Sequence, residues 1–300
     1  MKKLRAWMVS TVLAILCFCP ASDGTEHQVP GAGVRVRCQP SAGSAGTKNS
    51  LFAQSAARLL DDEFRSDEVS FLLLDARTGL LIAARWDTPE SPIPFGSLVK
   101  PFTALAYAER HGLSYPKHFC KGKASGCWLP RGHGNSTIET AIANSCNSYF
   151  RTLAANMSGE DVGPTASAFG LEAPRSELSG PALCGLGTDW LISPLHMARA
   201  YLELSRRRDQ PGVREVLAGM AESAKQGTGS EVGRALKHCD ALVKTGTAAC
   251  RHRNRAPGDG FAVALVPAER PRFLLLVRVH GVPGARAAGI AGRMLSRLED

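Results

Sequence analysis

No apolar run in this chain is long enough to cross a bilayer. The longest, AWMVSTVLAILCFC at residues 6–19, has 14 residues, short of the ~20 that a spanning helix needs. Acidic residues are scarce beside basic ones, 27 against 36, which leaves a formal charge of +9. No nucleic-acid-binding motif accompanies that excess. It speaks for solubility or for attraction toward anionic polymers and membrane surfaces, and no nucleic-acid partner is expected. The eight histidines lack a metal-binding spacing such as H-E-x-x-H, so neither a metal nor a cofactor is expected. The rest is ordinary for a globular protein, 44% hydrophobic and 21% charged, with ample length for a core in 300 residues.

The apolar stretch has a role at the chain start. Lys2, Lys3 and Arg5 precede it, and Cys19-Pro20-Ala21 stands where a cleavage site would be, so residues 1–21 have the pattern of a secretory signal peptide. An uncleaved signal serving as a membrane tether is one alternative. A lipid-modified Cys17 or Cys19 is another, disfavoured by Leu16 and Phe18 where small residues are expected. Export implies a periplasmic or otherwise extracytoplasmic protein. Removing residues 1–21 leaves 33 basic against 27 acidic residues, or +6. Residues 22–50 are rich in Gly, Ala, Ser and Pro (PGAG, PSAGSAG) and read as a flexible linker. Residues 51–300 read as one domain.

Within that domain, LFAQSAARLLDDEFR at 51–65 has helical spacing. VSFLLLDARTGLLIAARW at 69–86 reads as two strands joined by a turn at 75–79. A Pro-rich loop covers 86–96, and 97–225 is mostly helical. The β pattern returns at 242–249, 261–267 and 273–281, and a helix closes the chain from 284. Strands at both ends with helices between imply an α+β layout: one sheet from N- and C-terminal pieces, with a helical lobe.

Three stretches carry chemistry. In GSLVKPFTAL, Ser97 and Lys100 are three apart at a helix entry signalled by Pro101, with the helix running to about Gly112. That spacing puts both on one helical face, where a hydroxyl beside a lysine of depressed pKa is an activated nucleophile. Alone, the pair is common. ANSCNSYF holds Ser145, Cys146 and Asn147; LVKTGTAA holds Lys244, Thr245, Gly246 and Thr247 on a β-prone run. In this chain order, S-x-x-K, S-x-N and K-T-G form the signature of serine penicillin-recognising enzymes.

With the stretches HGNSTIETAIANSCNSYFRTLA, WLISPLHMARAYLEL and GMAESAKQGTGS, the region from about residue 68 to 300 resembles the transpeptidase domain of class B-type penicillin-binding proteins. The resemblance implies a five-stranded antiparallel sheet packed by helices. It implies a peptidoglycan stem peptide as substrate, β-lactams as inhibitors, and a D,D-transpeptidase or carboxypeptidase activity. Ser97 would form the acyl-enzyme and Lys100 would act as general base, with a pKa depressed by Lys244. Ser145 would relay a proton to the leaving group, and Asn147 would hold the substrate amide. Lys244, Thr245 and Thr247 would bind the terminal carboxylate. Gly246 would let substrate lie against the strand. Backbone N–H groups of Ser97 and Thr247 would form the oxyanion hole. Protein partners are not indicated. The sequence departs from larger relatives in having Phe261 alone where many carry a Trp-Phe pair, and in the few residues before the first strand. A class D-like β-lactamase and a non-catalytic β-lactam-sensing or wall-binding module are the alternatives.

Seven of the nine cysteines follow residue 21. Export implies an oxidising compartment and hence disulfides. Cys120 and Cys127 flank a short loop, Cys239 and Cys250 bracket the K-T-G strand, and Cys38 and Cys184 are left as a long-range pair. Cys146 is then the odd thiol. A Cys-His protease spacing is not recognisable.

Overall fold

The structure is a computed structural model, and it describes residues 45–250 and 256–299. The predicted signal at 1–21, residues 22–44 of the predicted linker, and Cys38 lie outside the described residues. Helix α1 spans Ala45–Glu63, so the helical start lies within the segment expected to be linker. Strands β1 (Val69–Asp75) and β2 (Leu81–Arg85) follow, then the short β3 (Ile93–Pro94). A 3-10 turn at Gly96–Val99 leads into α2 (Lys100–Arg110). A small hairpin is formed by β4 (His118–Cys120) and β5 (Gly134–Ser136). The helical lobe continues with α3 (Ile138–Ala143), α4 (Asn147–Leu153) and α5 (Gly159–Ala168). After β6 (Leu191–Ile192) come α6 (Pro194–Arg206), α7 (Val213–Gln226) and α8 (Ser230–Ala235). Strands β7 (Leu242–Ala248), β8 (Asp259–Val266) and β9 (Phe273–His280) and helix α9 (Gly284–Glu299) complete the chain.

Five strands form one antiparallel sheet in the order β2-β1-β9-β8-β7. The predicted α+β layout, with sheet strands from both chain ends, is what forms. The turn between β1 and β2 is set by Asp75, whose Oδ1 accepts from Thr78 N at 2.7 Å and Thr78 Oγ1 at 2.8 Å. Such side-chain acceptance is how Asp nucleates tight turns.

The central strands are apolar without alternation (FLLLD, AVALV, FLLLV) because both faces are covered. Successive side chains still point to opposite sides. Leu72, Leu74, Val263, Leu265, Leu274 and Leu276 pack with Phe95 and Phe102 in the core beneath the helical lobe. Phe71, Leu73, Ala262, Ala264, Leu275 and Val277 pack on the other side with Leu60 of α1 and Ala287, Ala291 and Met294 of α9. Small residues on α9 fit that role: a Cβ on Gly292 would collide with the Glu231 carbonyl. The outcome that matters for function is the position of β7 at the edge of the sheet, with one side free of a strand partner among the described residues.

Candidate active site

Ser97 lies in the 3-10 turn rather than in α2 itself; Lys100 is the first α-helical residue. The turn is fixed from several sides. Leu98 and Val99 are buried, Tyr201 Oη donates to Leu98 O at 2.7 Å, and Phe95 packs on Phe261 at 4.8 Å. Gly96, at φ +56°, has no room for a side chain, because a Cβ there would overlap the backbone of Thr247. A Cβ on Gly246 would likewise overlap Phe95 O and press on Leu98. The expectation had substrate against Gly246. In the structure Gly246 lines the cleft and also lets β7 close on the turn that carries Ser97.

Ser145 joins α3 to α4 at φ +50°, a conformation uncommon for a residue with a Cβ. Strain of this kind concentrates at functional sites. Two lysines meet there, each with no exposed surface. Lys244 Nζ donates to Ser145 Oγ at 3.0 Å and to Thr245 O at 2.7 Å. Lys100 Nζ donates to Asn147 Oδ1 at 2.6 Å and Ser145 O at 3.0 Å, with Ser145 Oγ at 3.4 Å. Lys100, Ser145 and Asn147 thus form one cluster.

Burial pushes the Lys100 ammonium down to about 8, against a partial upward pull from the thiols of Cys184, Cys146 and Cys127. Lys244 is pushed well below its ordinary value by burial first and by the Lys100 charge second. Repulsion between the two ammonium groups is mutual, so a proton on either lysine disfavours one on the other. Two amines sharing one hydroxyl in a dry site carry a proton reluctantly, which is what base chemistry near neutral pH requires.

Ser97, Ser145, Asn147, Thr245, Gly246 and Thr247 line one cleft of about 340 Å³. The sequence-predicted residues are thus brought together, with both lysines beneath the cleft. Thr245 Oγ1 donates to Thr228 Oγ1 at 2.6 Å, and Thr247 Oγ1 accepts from Gly284 N at 2.9 Å. Six lining residues were missed by sequence reasoning: Trp128, Leu186, Thr228, Pro283, Gly284 and Ala285. Trp128 is half-exposed, and its indole N–H is shared between Asn144 O at 3.1 Å and Ser145 O at 3.2 Å. An exposed tryptophan beside Cys127 was the available signal. Arg251-His252-Arg253-Asn254-Arg255, a basic run just past the K-T-G strand in sequence, lies outside the described residues.

The expected disulfides are not formed. The six described cysteines, at 120, 127, 146, 184, 239 and 250, form no disulfide with one another. Cys239 and Cys250 sit beyond opposite ends of β7. A seven-residue strand spans roughly 20 Å, far past the ~7 Å limit between bridged Cα atoms. Cys239 Sγ instead donates to Glu299 Oε1 at 3.2 Å. Cys184 is buried and donates to Phe150 O at 3.1 Å. Cys120 and Cys127 both face His133 Nδ1, at 3.6 and 3.5 Å, in place of facing each other alone. Burial raises the Cys120 thiol, but backbone N–H groups of His133 and Gly122 outweigh it and bring the value to about 6.

The penicillin binding protein transpeptidase domain matches residues 69–297 of this chain. No curated protein matches it by sequence. Among solved structures, Pseudomonas aeruginosa PBP2 in complex with WCK 5153 superposes with a TM-score of 0.66 at 18% identity, covering 83% of this chain and 73% of that one. The apo transpeptidase domain of Burkholderia pseudomallei penicillin-binding protein 3 gives 0.64 at 18% identity, covering 84% and 94%. Helicobacter pylori PBP2, solved in complex with MreC, gives 0.65 at 19% identity, covering 82% and 62%. The sheet order, the lysine-flanked serine and the match over most of the chain converge: this protein belongs to the penicillin-binding protein transpeptidase family.

Proposed function

We propose that the chain is an exported serine D,D-transpeptidase or carboxypeptidase that acts on peptidoglycan stem peptides through an acyl-enzyme at Ser97. The observation that carries this reading is the convergence of two buried lysines of lowered proton affinity on Ser145 in the cleft that Ser97 lines. The stem peptide lies along the free side of β7 as an added strand, a common way for an edge to hold an extended peptide. Thr245, Thr247 and Lys244 meet its terminal carboxylate, and Asn147 meets its amide. Neutral Lys100 takes the Ser97 proton as Oγ attacks the penultimate carbonyl. Backbone N–H groups of Ser97 and Thr247 receive the oxyanion, a donor pair of which each member is worth about 3 kcal/mol. Ser145, held by both amines, delivers a proton to the departing D-alanine amine. An acceptor amine or water then releases the acyl group and restores Ser97.

The test is a fluorescent penicillin read by gel and intact mass. Wild-type protein should gain one adduct that persists for hours, and Ser97→Ala and Lys100→Ala should gain none. Labelling that survives Ser97→Ala overturns the site assignment. An adduct cleared within seconds transfers the reading to a β-lactamase.

A further inference from the structure

Four side chains that acyl transfer does not use meet at one point beside the cleft. Cys120 comes from the end of β4, Cys127 and His133 from the loop between β4 and β5, and Cys146 from the middle of the S-x-N turn. Their Sγ and Nδ1 atoms all lie within 4.8 Å of one another. Cys120 Sγ is 3.6 Å and Cys127 Sγ 3.5 Å from His133 Nδ1, and Cys127 Sγ is 3.9 Å from Cys146 Sγ.

These separations have a definite meaning. A disulfide would bring two sulfurs to about 2.05 Å. In a tetrahedral site with zinc–sulfur bonds near 2.3 Å and zinc–nitrogen bonds near 2.0–2.1 Å, neighbouring donors stand about 3.8 Å apart for two sulfurs and about 3.5–3.6 Å apart for sulfur and nitrogen. The three edges given above agree with those values to about 0.1 Å.

The surroundings fit as well. The three cysteines are buried. His133 Nε2 is buried with no hydrogen-bond partner among the described residues, so the Nδ1 contacts to the two sulfurs are what orient the ring. The loop is drawn tight by two glycines at positive φ: a Cβ on Gly122 would overlap Pro130 O, and one on Gly132 would overlap Cys120 O. Three soft thiolates and an imidazole, with these three edges at tetrahedral lengths, select zinc among common divalent ions. Four protein donors leave no position for water or substrate, which marks a structural site.

We infer that Cys120, Cys127, His133 and Cys146 bind a structural zinc ion that pins the Ser145–Asn147 turn to the β4–β5 hairpin. Cys146 stands between Ser145 and Asn147, so an ion on its sulfur fixes the peptide units that aim both side chains at Lys100 and Lys244. Trp128, one residue after Cys127, adds its indole N–H to the same turn from the same loop. The cysteines that sequence arithmetic assigns to a bridge and an odd thiol become one ligand set. Histidine spacing alone conceals it, because three of the four donors are sulfur.

The full chain, purified under reducing conditions, should carry one zinc ion per molecule by elemental mass spectrometry. Exchange to cobalt(II) should give the near-ultraviolet thiolate charge-transfer absorption and the visible bands of a tetrahedral ion. Cys127→Ser should lose the metal. Cys127→His, which keeps a donor, should retain it with an altered cobalt spectrum, so the test holds even where the serine variant does not fold. Zinc withdrawal by a chelator should slow penicillin labelling by about tenfold or more, and added zinc should restore it. That last arm alone rests on the proposed acyl-enzyme: a zinc-loaded protein that never labels defeats that reading and leaves the metal site standing. Folded wild-type protein with neither zinc nor a tetrahedral cobalt spectrum overturns the site, as does a Cys120–Cys127 disulfide in peptide maps. Iron or copper in place of zinc overturns the choice of ion. Unchanged labelling after verified metal removal overturns the pinning.

Discussion

The two serine-bearing turns of the cleft are held by opposite means. The Ser97 turn is held by shape. Phe95, Leu98 and Val99 are buried around it, and Gly96 and Gly246 let it touch β7 backbone to backbone. The Ser145 turn is held by donors and acceptors. Lys100 Nζ and the Trp128 indole reach Ser145 O, Lys244 Nζ reaches Ser145 Oγ, and Cys146 joins the thiol cluster. A turn held by shape fails when one methyl group is added. A turn held by polar contacts loosens in steps as contacts are removed.

The sharpest way to break the contrast is Gly96→Ala. The new Cβ would overlap Thr247, and the residue would be forced to stay at φ +56°. Both effects penalise the fold, together by about 3–5 kcal/mol. Chemical denaturation should show that loss, and penicillin labelling should fall with it. A variant as stable and reactive as wild type would show that the turn is not held by shape.

This difference explains what could be read from the sequence. The sheet strands were legible because apolar runs such as FLLLV and AVALV, bounded by Gly, Pro and Asp, leave few other options. The three motifs were legible because their residue types recur at fixed spacing. The Lys100–Asn147 contact was not, since it depends on how α2 meets α4 across the lobe. The closure of Gly96 on Thr247 joins opposite ends of the domain and leaves no local mark beyond a glycine. The cysteines misled because pairing by sequence proximity ignores a histidine that the hairpin brings between them. An extended β7 likewise separates the two cysteines that bracket it in sequence.

A second prediction sharpens the electrostatic side of the comparison. With its value near 8, Lys100 is about 1% neutral at pH 6 and half neutral at pH 8. Acylation by penicillin should therefore rise about 50-fold over that interval and level off above it, as followed by stopped-flow fluorescence. A flat profile would remove Lys100 as the base. Stability carries the same sign. The folded value lies below the unfolded 10.5, so the unfolded chain binds more protons between about pH 8 and 10.5. The Lys100 contribution thus favours unfolding at and below pH 8 and fades as pH rises toward 10.5.

The smallest effect is expected from Trp128→Phe, and it isolates one polar contact of the Ser145 turn. Phenylalanine keeps an aromatic surface at the cleft rim and removes only the indole N–H. Ser145 O still accepts from Lys100 Nζ at 3.0 Å, and Asn144 belongs to a partly exposed turn where water replaces the lost donor. The net cost should be that of one ordinary hydrogen bond, about 1 kcal/mol, or about a fivefold slower acylation with little change in melting temperature. Trp128→Ala should cost more, since it also strips a ring that packs edge-on against His133 at 5.5 Å. The order wild type, Phe, Ala in second-order acylation rate is the expected result. Equal rates in all three would mean that the tryptophan does not position the turn, and that Lys100, Lys244 and the sulfur cluster hold it unaided.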